Sequence, residues 1–227
     1  MAERAAERAT ERATEVEGGG AGGATLTIHD AAVRLGAYRW AEQRLFELTG
    51  AWSAAPGLVD VARVHLFEAS TQHAWHAQLW ADRLPVLAGV DPEGLTRPVG
   101  ARAASLLTAL EPAEVPEPSP GAEAPRGVRF VAGLTVEVLP RLLGSYREFG
   151  RRLVPVTDGP SIRALTLVVR DVEEELAAAG TLLGGLAGSS AAEEWARALG
   201  EGLFLEAGGD GAHADDLFPW PEGDSTW

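Results

Sequence analysis

Proline and glycine residues divide this chain into long segments that can each form a helix, joined by short turns. The segment 58–84 is the clearest case, because Pro56-Gly57 precedes it and Pro85 follows it. Proline lacks a backbone N–H and clashes with the preceding helical turn, so helices begin and end at such places. With so short a connection, this helix should lie antiparallel to the helix before it.

The same pattern continues along the chain and predicts an all-α protein. The other predicted helices have these bounds: 30–50, 101–110, 128–153 with a kink at Pro140, 160–186 and 190–205. The proline-rich stretch 111–120 cannot hold a regular helix and reads as a long crossover between two helical hairpins. Two hairpins joined in this way predict an antiparallel four-helix bundle with an extra C-terminal helix.

The two ends of the chain differ in composition from its middle. Residues 1–24 combine a repeated Ala-Glu-Arg unit with a glycine-rich linker and have almost no large apolar side chain to bury, which predicts a flexible arm. Residues 207–227 form an acidic tail rich in glycine and aspartate. We therefore expect a single helical domain over 25–206.

Composition excludes several classes of function. The net charge is −14, so a face that neutralises nucleic-acid phosphates is not expected. The chain has no cysteine, which removes disulfides, thiolate metal sites and a cysteine nucleophile. No apolar run approaches the roughly 18 residues of a membrane span, and no signal peptide opens the chain. We expect a cytoplasmic protein, and the use of arginine without lysine is typical of a GC-rich bacterium.

The second predicted helix carries a stripe of polar residues. Projection at 100° per residue places His65, Glu68, Gln72 and His76 on one face. The opposite face holds Asp60, Arg63, Ser70, Ala74 and Gln78. If the second group faces water, the first faces the interior. An unsatisfied buried donor or acceptor costs about 1–3 kcal/mol, so partners for this stripe are expected on the neighbouring helices.

Carboxylates on the other helices could supply those partners. Glu42 should lie level with His65, and Glu137 within about a turn of Glu174, with Asp171 at a similar height. The candidate ligand-binding residues are Glu42, His65, Glu68, Gln72, His76, Glu137, Asp171 and Glu174. The alternative interpretation is structural, because carboxylates and histidines of this kind also serve as buried ion pairs and satisfied core side chains.

This arrangement resembles the ferritin-like superfamily over about residues 28–186. The residues that carry the resemblance are Glu42, Glu68, Glu137 and the pair Asp171 and Glu174, in part within the stretches 38–44 and 170–175. The resemblance implies a four-helix bundle in which each helix pair gives one Glu and one Glu-x-x-His to a two-metal centre. The chain departs from that motif, because Thr71 stands three residues after Glu68 and no histidine lies between Pro160 and Leu186. We therefore expect a degenerate member without a metal cofactor. The alternative is an iron or manganese site built from Glu42, His65, Glu68, Glu137 and Glu174.

Three functions remain open, and the sequence does not decide whether the protein is an enzyme. The first, which we favour, is binding of, or action on, a small molecule at the interior polar site. The second is a di-metal oxidase or oxygenase. The third is a scaffold that binds a protein partner through the tail, where Leu217, Phe218 and Trp220 are apolar anchors in acidic surroundings. A homo-oligomer is compatible with all three.

Overall fold

The computed structural model describes residues 26–117, 124–204 and 217–218. The predicted arm 1–24 and all of the predicted tail 207–227 except Leu217 and Phe218 lie outside these ranges. The all-α prediction is confirmed, since every regular element in the described ranges is helical. The helices are α1 Ile28–Ala54, α2 Asp60–Ala81, α3 Pro92–Leu95, α4 Ala101–Ala109, α5 Arg126–Gly133, α6 Leu139–Arg152, α7 Gly159–Gly184 and α8 Ser189–Phe204. None of them has both the length and the apolar character that a membrane span requires.

Helix α1 extends beyond the predicted bounds at both ends, by two residues at its start and four at its end. It begins after Thr27, whose hydroxyl accepts from the backbone N–H of Asp30 while the Asp30 carboxylate accepts from the N–H of Thr27. It passes Gly50, where the prediction ended it, and stops at Ala54. A Cβ at Gly50 would lie 3.1 Å from Ser70 Oγ on α2. Glycine at this position therefore allows close packing of α1 and α2 and does not end the helix.

The predicted kink near Pro140 takes the form of a π-helical turn. Leu134–Val138 is π-helical and joins α5 to α6, so that 126–152 is one continuous helical rod. Pro140 stands in the first turn of α6, where the proline ring and its missing N–H disturb the ordinary hydrogen-bond ladder. A single π turn accommodates that disturbance and also carries Glu137.

The core of the protein contains an aromatic cluster to which α1, α2 and α6 each contribute. Its described members are Tyr38, Trp80, Tyr146, Phe149 and Phe218, all fully buried. The Tyr38 ring lies 4.7 Å from Tyr146 and 6.0 Å from Phe218, centroid to centroid. Phe218 donates its backbone N–H to Ser145 Oγ at 3.2 Å, and its carbonyl accepts from Arg34. These two residues of the predicted tail, Leu217 and Phe218, are thus part of the protein's own core.

Candidate metal centre

Helix α2 is rotated by about one fifth of a turn relative to the sequence prediction. Its buried residues are Ala62, Leu66, Ala69, Ser70, His73, His76, Ala77 and Trp80. The prediction that Glu68 faces the interior is wrong, because Glu68 is exposed. His65 and Gln72 are half-buried at the margin of the inner face. Ser70, predicted to face water, is buried and donates to the carbonyl of Phe46 on α1.

Two histidines and three carboxylates form a compact group in the interior. His73 Nδ1 lies 2.6 Å from Glu42 Oε2, and its Nε2 lies 3.3 Å from Glu175 Oε1. His76 Nδ1 lies 3.4 Å from Glu42 Oε1, and its Nε2 lies 3.3 Å from Asp171 Oδ2. Glu42 therefore stands between the two Nδ1 atoms, and each Nε2 atom faces one of the outer carboxylates. We call Glu42, His73 and His76 the inner triad, and Asp171 and Glu175 the outer carboxylates.

Helix geometry explains why these side chains meet. His73 and His76 are three residues apart on α2, and Asp171 and Glu175 are four apart on α7, so each pair occupies one face of its helix. Glu42 projects from α1 at the level of His73. It lies level with His73 and not with His65, because α1 runs on to Ala54 and shifts its pairing with α2.

A tyrosine of α6 completes the surroundings of Glu42. The Tyr146 hydroxyl donates to Glu42 Oε1 and accepts from the indole N–H of Trp80 at 3.3 Å. The rings of Tyr146, Trp80 and Tyr38 pack against one another and exclude water from this side. Each of α1, α2, α6 and α7 thus places a polar side chain at the same point in the interior.

The charges of the group are strongly coupled. Burial would raise the pKa of Glu42, but the charges and hydrogen bonds of His76 and His73 outweigh it and lower that pKa to about 2. Burial would lower the pKa of His73, but the carboxylates of Glu175 and Glu42 outweigh it and raise the pKa to about 10. The pKa of His76 is also raised, mainly by Glu42 against the effect of burial. Burial and the adjacent Glu42 charge raise the pKa of Tyr146 well above its usual range.

The sequence predicted part of this site. It named Glu42, His76 and Asp171, and the structure brings these three together. Glu137 is buried but pairs with Arg141 on its own helical rod, at 2.8 Å, and not with Glu174. Glu174 is exposed and lies 3.3 Å from Arg170.

His73, Glu175 and Tyr146 were missed. A signal for His73 was present in the sequence. Small or apolar residues at seven-residue spacing mark the inner face of a packed helix. His73 stands midway between Leu66 and Trp80 at that spacing, and Ala62 and Ala69 show the same spacing.

The inner triad is a group of side chains that could hold a metal ion. One donor atom from each of Glu42, His73 and His76 falls within 4.8 Å of the others. Two imidazoles and one carboxylate form a donor set used for Fe²⁺ and Zn²⁺ in proteins. Several buried polar atoms also lack a hydrogen-bond partner: His73 Nε2, His76 Nδ1 and both carboxylate oxygens of Glu175. The approach of His73 Nε2 to Glu175 and that of His76 Nδ1 to Glu42 are therefore not aligned as hydrogen bonds. These nitrogen and oxygen atoms remain available to bind a metal ion.

Comparison with known proteins leaves the interpretation to this geometry. No protein-family model, no curated protein and no solved structure matches the chain.

Proposed function

We propose that the protein binds one divalent transition-metal ion through Glu42, His73 and His76, within a ferritin-like four-helix bundle. The observation that carries the proposal is the convergence of three donor atoms from two helices within 4.8 Å, on side chains with no exposed surface. Two imidazoles and one carboxylate are one of the ligand sets that recur in protein metal sites.

The outer carboxylates support the same function. In metal sites a ligating histidine commonly gives its second ring N–H to a carboxylate, which fixes the tautomer and raises the basicity of the ligand. Asp171 lies 3.3 Å from His76 Nε2, and Glu175 lies 3.3 Å from His73 Nε2. The Nε2 side of each imidazole thus faces an outer carboxylate, and both Nδ1 atoms face Glu42, where a metal ion would be held.

Charge balance indicates how the ion would be accommodated. Three carboxylates and two imidazolium ions carry a net charge of −1 in the absence of metal. A dication with two neutral imidazoles gives the same net charge, so the ion takes the place of two protons. Because the pKa of His73 is about 10, binding at pH 7 must overcome roughly three pH units of proton competition, or about 4 kcal/mol. Affinity should therefore increase steeply with pH.

The donor set favours iron, manganese, cobalt or zinc over calcium and magnesium, which prefer oxygen ligands. A bound ion of this kind supplies Lewis acidity or, for iron and manganese, one-electron redox chemistry. The protein's own contribution is a dry surrounding, since Glu42, His73 and His76 are all fully buried.

The side chains of the helical rod 126–152 support a site for one ion and not for two. A two-metal centre of the ferritin-like kind needs a carboxylate from each helix. Here α6 presents the hydroxyl of Tyr146, while Glu137 of the same rod is engaged by Arg141. An organic ligand is less well supported, because it would have to displace fully buried side chains, whereas a metal ion replaces only protons.

The test is the metal content of tag-free protein after incubation with Zn²⁺ or Mn²⁺ and gel filtration, measured by elemental analysis. We expect about one ion per chain for the wild type, near zero for His73→Gln, and wild-type content for His65→Gln. His65 is the matched control because it lies on the same helix, half-buried, outside the group. Equal metal content in both variants would reject the proposed site.

A further inference from the structure

The five side chains of the centre differ in their access to solvent. The side chains of Glu42, His73 and His76 have 0% exposed surface, and that of Glu175 has 2%. Asp171 is the exception, with 12% of its side chain exposed. Because Asp171 Oδ2 also lies 3.3 Å from His76 Nε2, this one carboxylate links the surface to the inner triad.

The guanidinium group of Arg170 lies beside the Asp171 carboxylate at the surface. Arg170 precedes Asp171 on α7 and is largely exposed; its Nε lies 3.7 Å from Asp171 Oδ1 and 3.3 Å from Glu174 Oε1. Glu174, one turn further along, is also exposed. The guanidinium group is therefore shared between the carboxylate that leads inward and one that stays at the surface.

We infer that metal ions reach the centre past Asp171, and that Arg170 is the gate on this route, held at the surface by Glu174. This inference rests on the proposed function. A dication approaching the protein meets the Asp171 carboxylate first, since it is the exposed edge of the group. The guanidinium opposes that approach by charge repulsion, and its pairing with Glu174 offers it an alternative position away from Asp171.

The two outer carboxylates have different roles, one in the uptake of the ion and one in its retention. Both lie 3.3 Å from an imidazole Nε2, so the negative charge of each favours a cation at the inner triad and contributes to affinity. Only Asp171 is in contact with solvent, so only Asp171 acts on the rate of uptake. Glu175, which is buried, acts on retention alone.

Stopped-flow measurement of Co²⁺ uptake, followed by its visible absorbance, separates these roles. Asp171→Asn and Glu175→Gln should each weaken equilibrium affinity by about 10- to 100-fold. Asp171→Asn alone should lower the association rate constant, by about tenfold. For Glu175→Gln the loss should appear in the dissociation rate constant. Equal association rate constants in the two variants would overturn the assigned route.

Arg170→Gln gives an independent test at a surface position where folding is not at risk. We expect its association rate constant to rise about threefold at low ionic strength and to return toward the wild-type value as salt screens the charge. Arg147→Gln is the matched control. Arg147 is an exposed arginine of α6 that pairs with Glu173 of α7 and does not contact Asp171. An unchanged rate for Arg170→Gln would refute the gate.

The outcomes also separate this inference from the proposed function. If wild-type protein binds no Co²⁺ at equilibrium, the proposed function and the route fail together. If it binds Co²⁺ and the binding requires His73, but Asp171→Asn takes up the ion as fast as Glu175→Gln does, the function stands and only the route is rejected.

Discussion

Replacing Glu42 by glutamine should expose the energetic cost of the buried charge group in the metal-free protein. Glu42 is fully buried, with imidazole nitrogens 2.6 Å and 3.4 Å away and the Tyr146 hydroxyl as a third partner. At an effective dielectric constant of about 20, unit charges about 4 Å apart attract by about 4 kcal/mol. Removing one member of a buried pair costs about 3–5 kcal/mol, because the remaining charge loses its counter-charge. We therefore expect Glu42→Gln to lower the free energy of unfolding by about 4 kcal/mol at pH 6.

Urea denaturation followed by circular dichroism measures this difference. Glu148→Gln is the control, since Glu148 also pairs with two cations, Arg151 and Arg152, but at the surface, where such pairs contribute about 0–1 kcal/mol. The deficit of Glu42→Gln should shrink at pH 9 and above, as the histidines lose the charge that Glu42 balanced. If Glu42→Gln costs no more than Glu148→Gln, the charge coupling of the inner triad is not as described.

Further predictions concern pH and packing. The raised pKa of His73 contributes stability that is complete below about pH 6.5 and is lost as the pH rises through about 10. The lowered pKa of Glu42 contributes stability that is complete above about pH 4.5 and is lost as the pH falls to about 2. The metal-free protein should thus be most stable between these limits, and a urea midpoint that stays flat from pH 5 to 10 would contradict this. Gly200→Ala should destabilise by about 1–3 kcal/mol, because its Cβ would lie 2.0 Å from Glu137 Oε2 and would force this buried carboxylate, which pairs with Arg141, to shift. Gly202→Ala, on the same helix and with none of the described residues within 4 Å of the added Cβ, should be neutral or stabilise by up to about 1 kcal/mol in the same denaturation assay.

The all-helical class and the bounds of several helices were predictable, because proline and glycine interrupt helices for local chemical reasons. Pro56-Gly57 and Pro160 interrupt or begin helices for reasons local to the residue, and α2 and α7 begin and end within a few residues of the predicted bounds. Gly50 shows the limit of this reasoning. A glycine read alone indicates a helix end, but here it allows α1 and α2 to approach closely, and that is a property of the pair.

The site was only partly predictable because α2 has no clean amphipathic pattern. Its outer surface carries Val61, Val64, Phe67 and Trp75, each between 46% and 64% exposed. Apolar residues therefore occur all round the helix, and hydrophobic periodicity does not select one face. Small changes in the assumed rotation exchange His65 for His73 as the inward residue. The rotation that α2 adopts depends on the close packing of its small residues against α1. The sequence of α2 alone carries no information about that packing.

The most direct test of the central claim is the number of protons released when a metal ion binds. Calorimetric titration of tag-free protein with Zn²⁺ at pH 7, in two buffers of different ionisation enthalpy, yields that number together with the stoichiometry. We predict about one ion per chain and release of about two protons, as the two imidazolium ions become neutral ligands. His73→Gln should lose both the binding and the proton release. Absence of saturable binding, or binding with no proton release that His73→Gln retains, would contradict a metal centre at Glu42, His73 and His76.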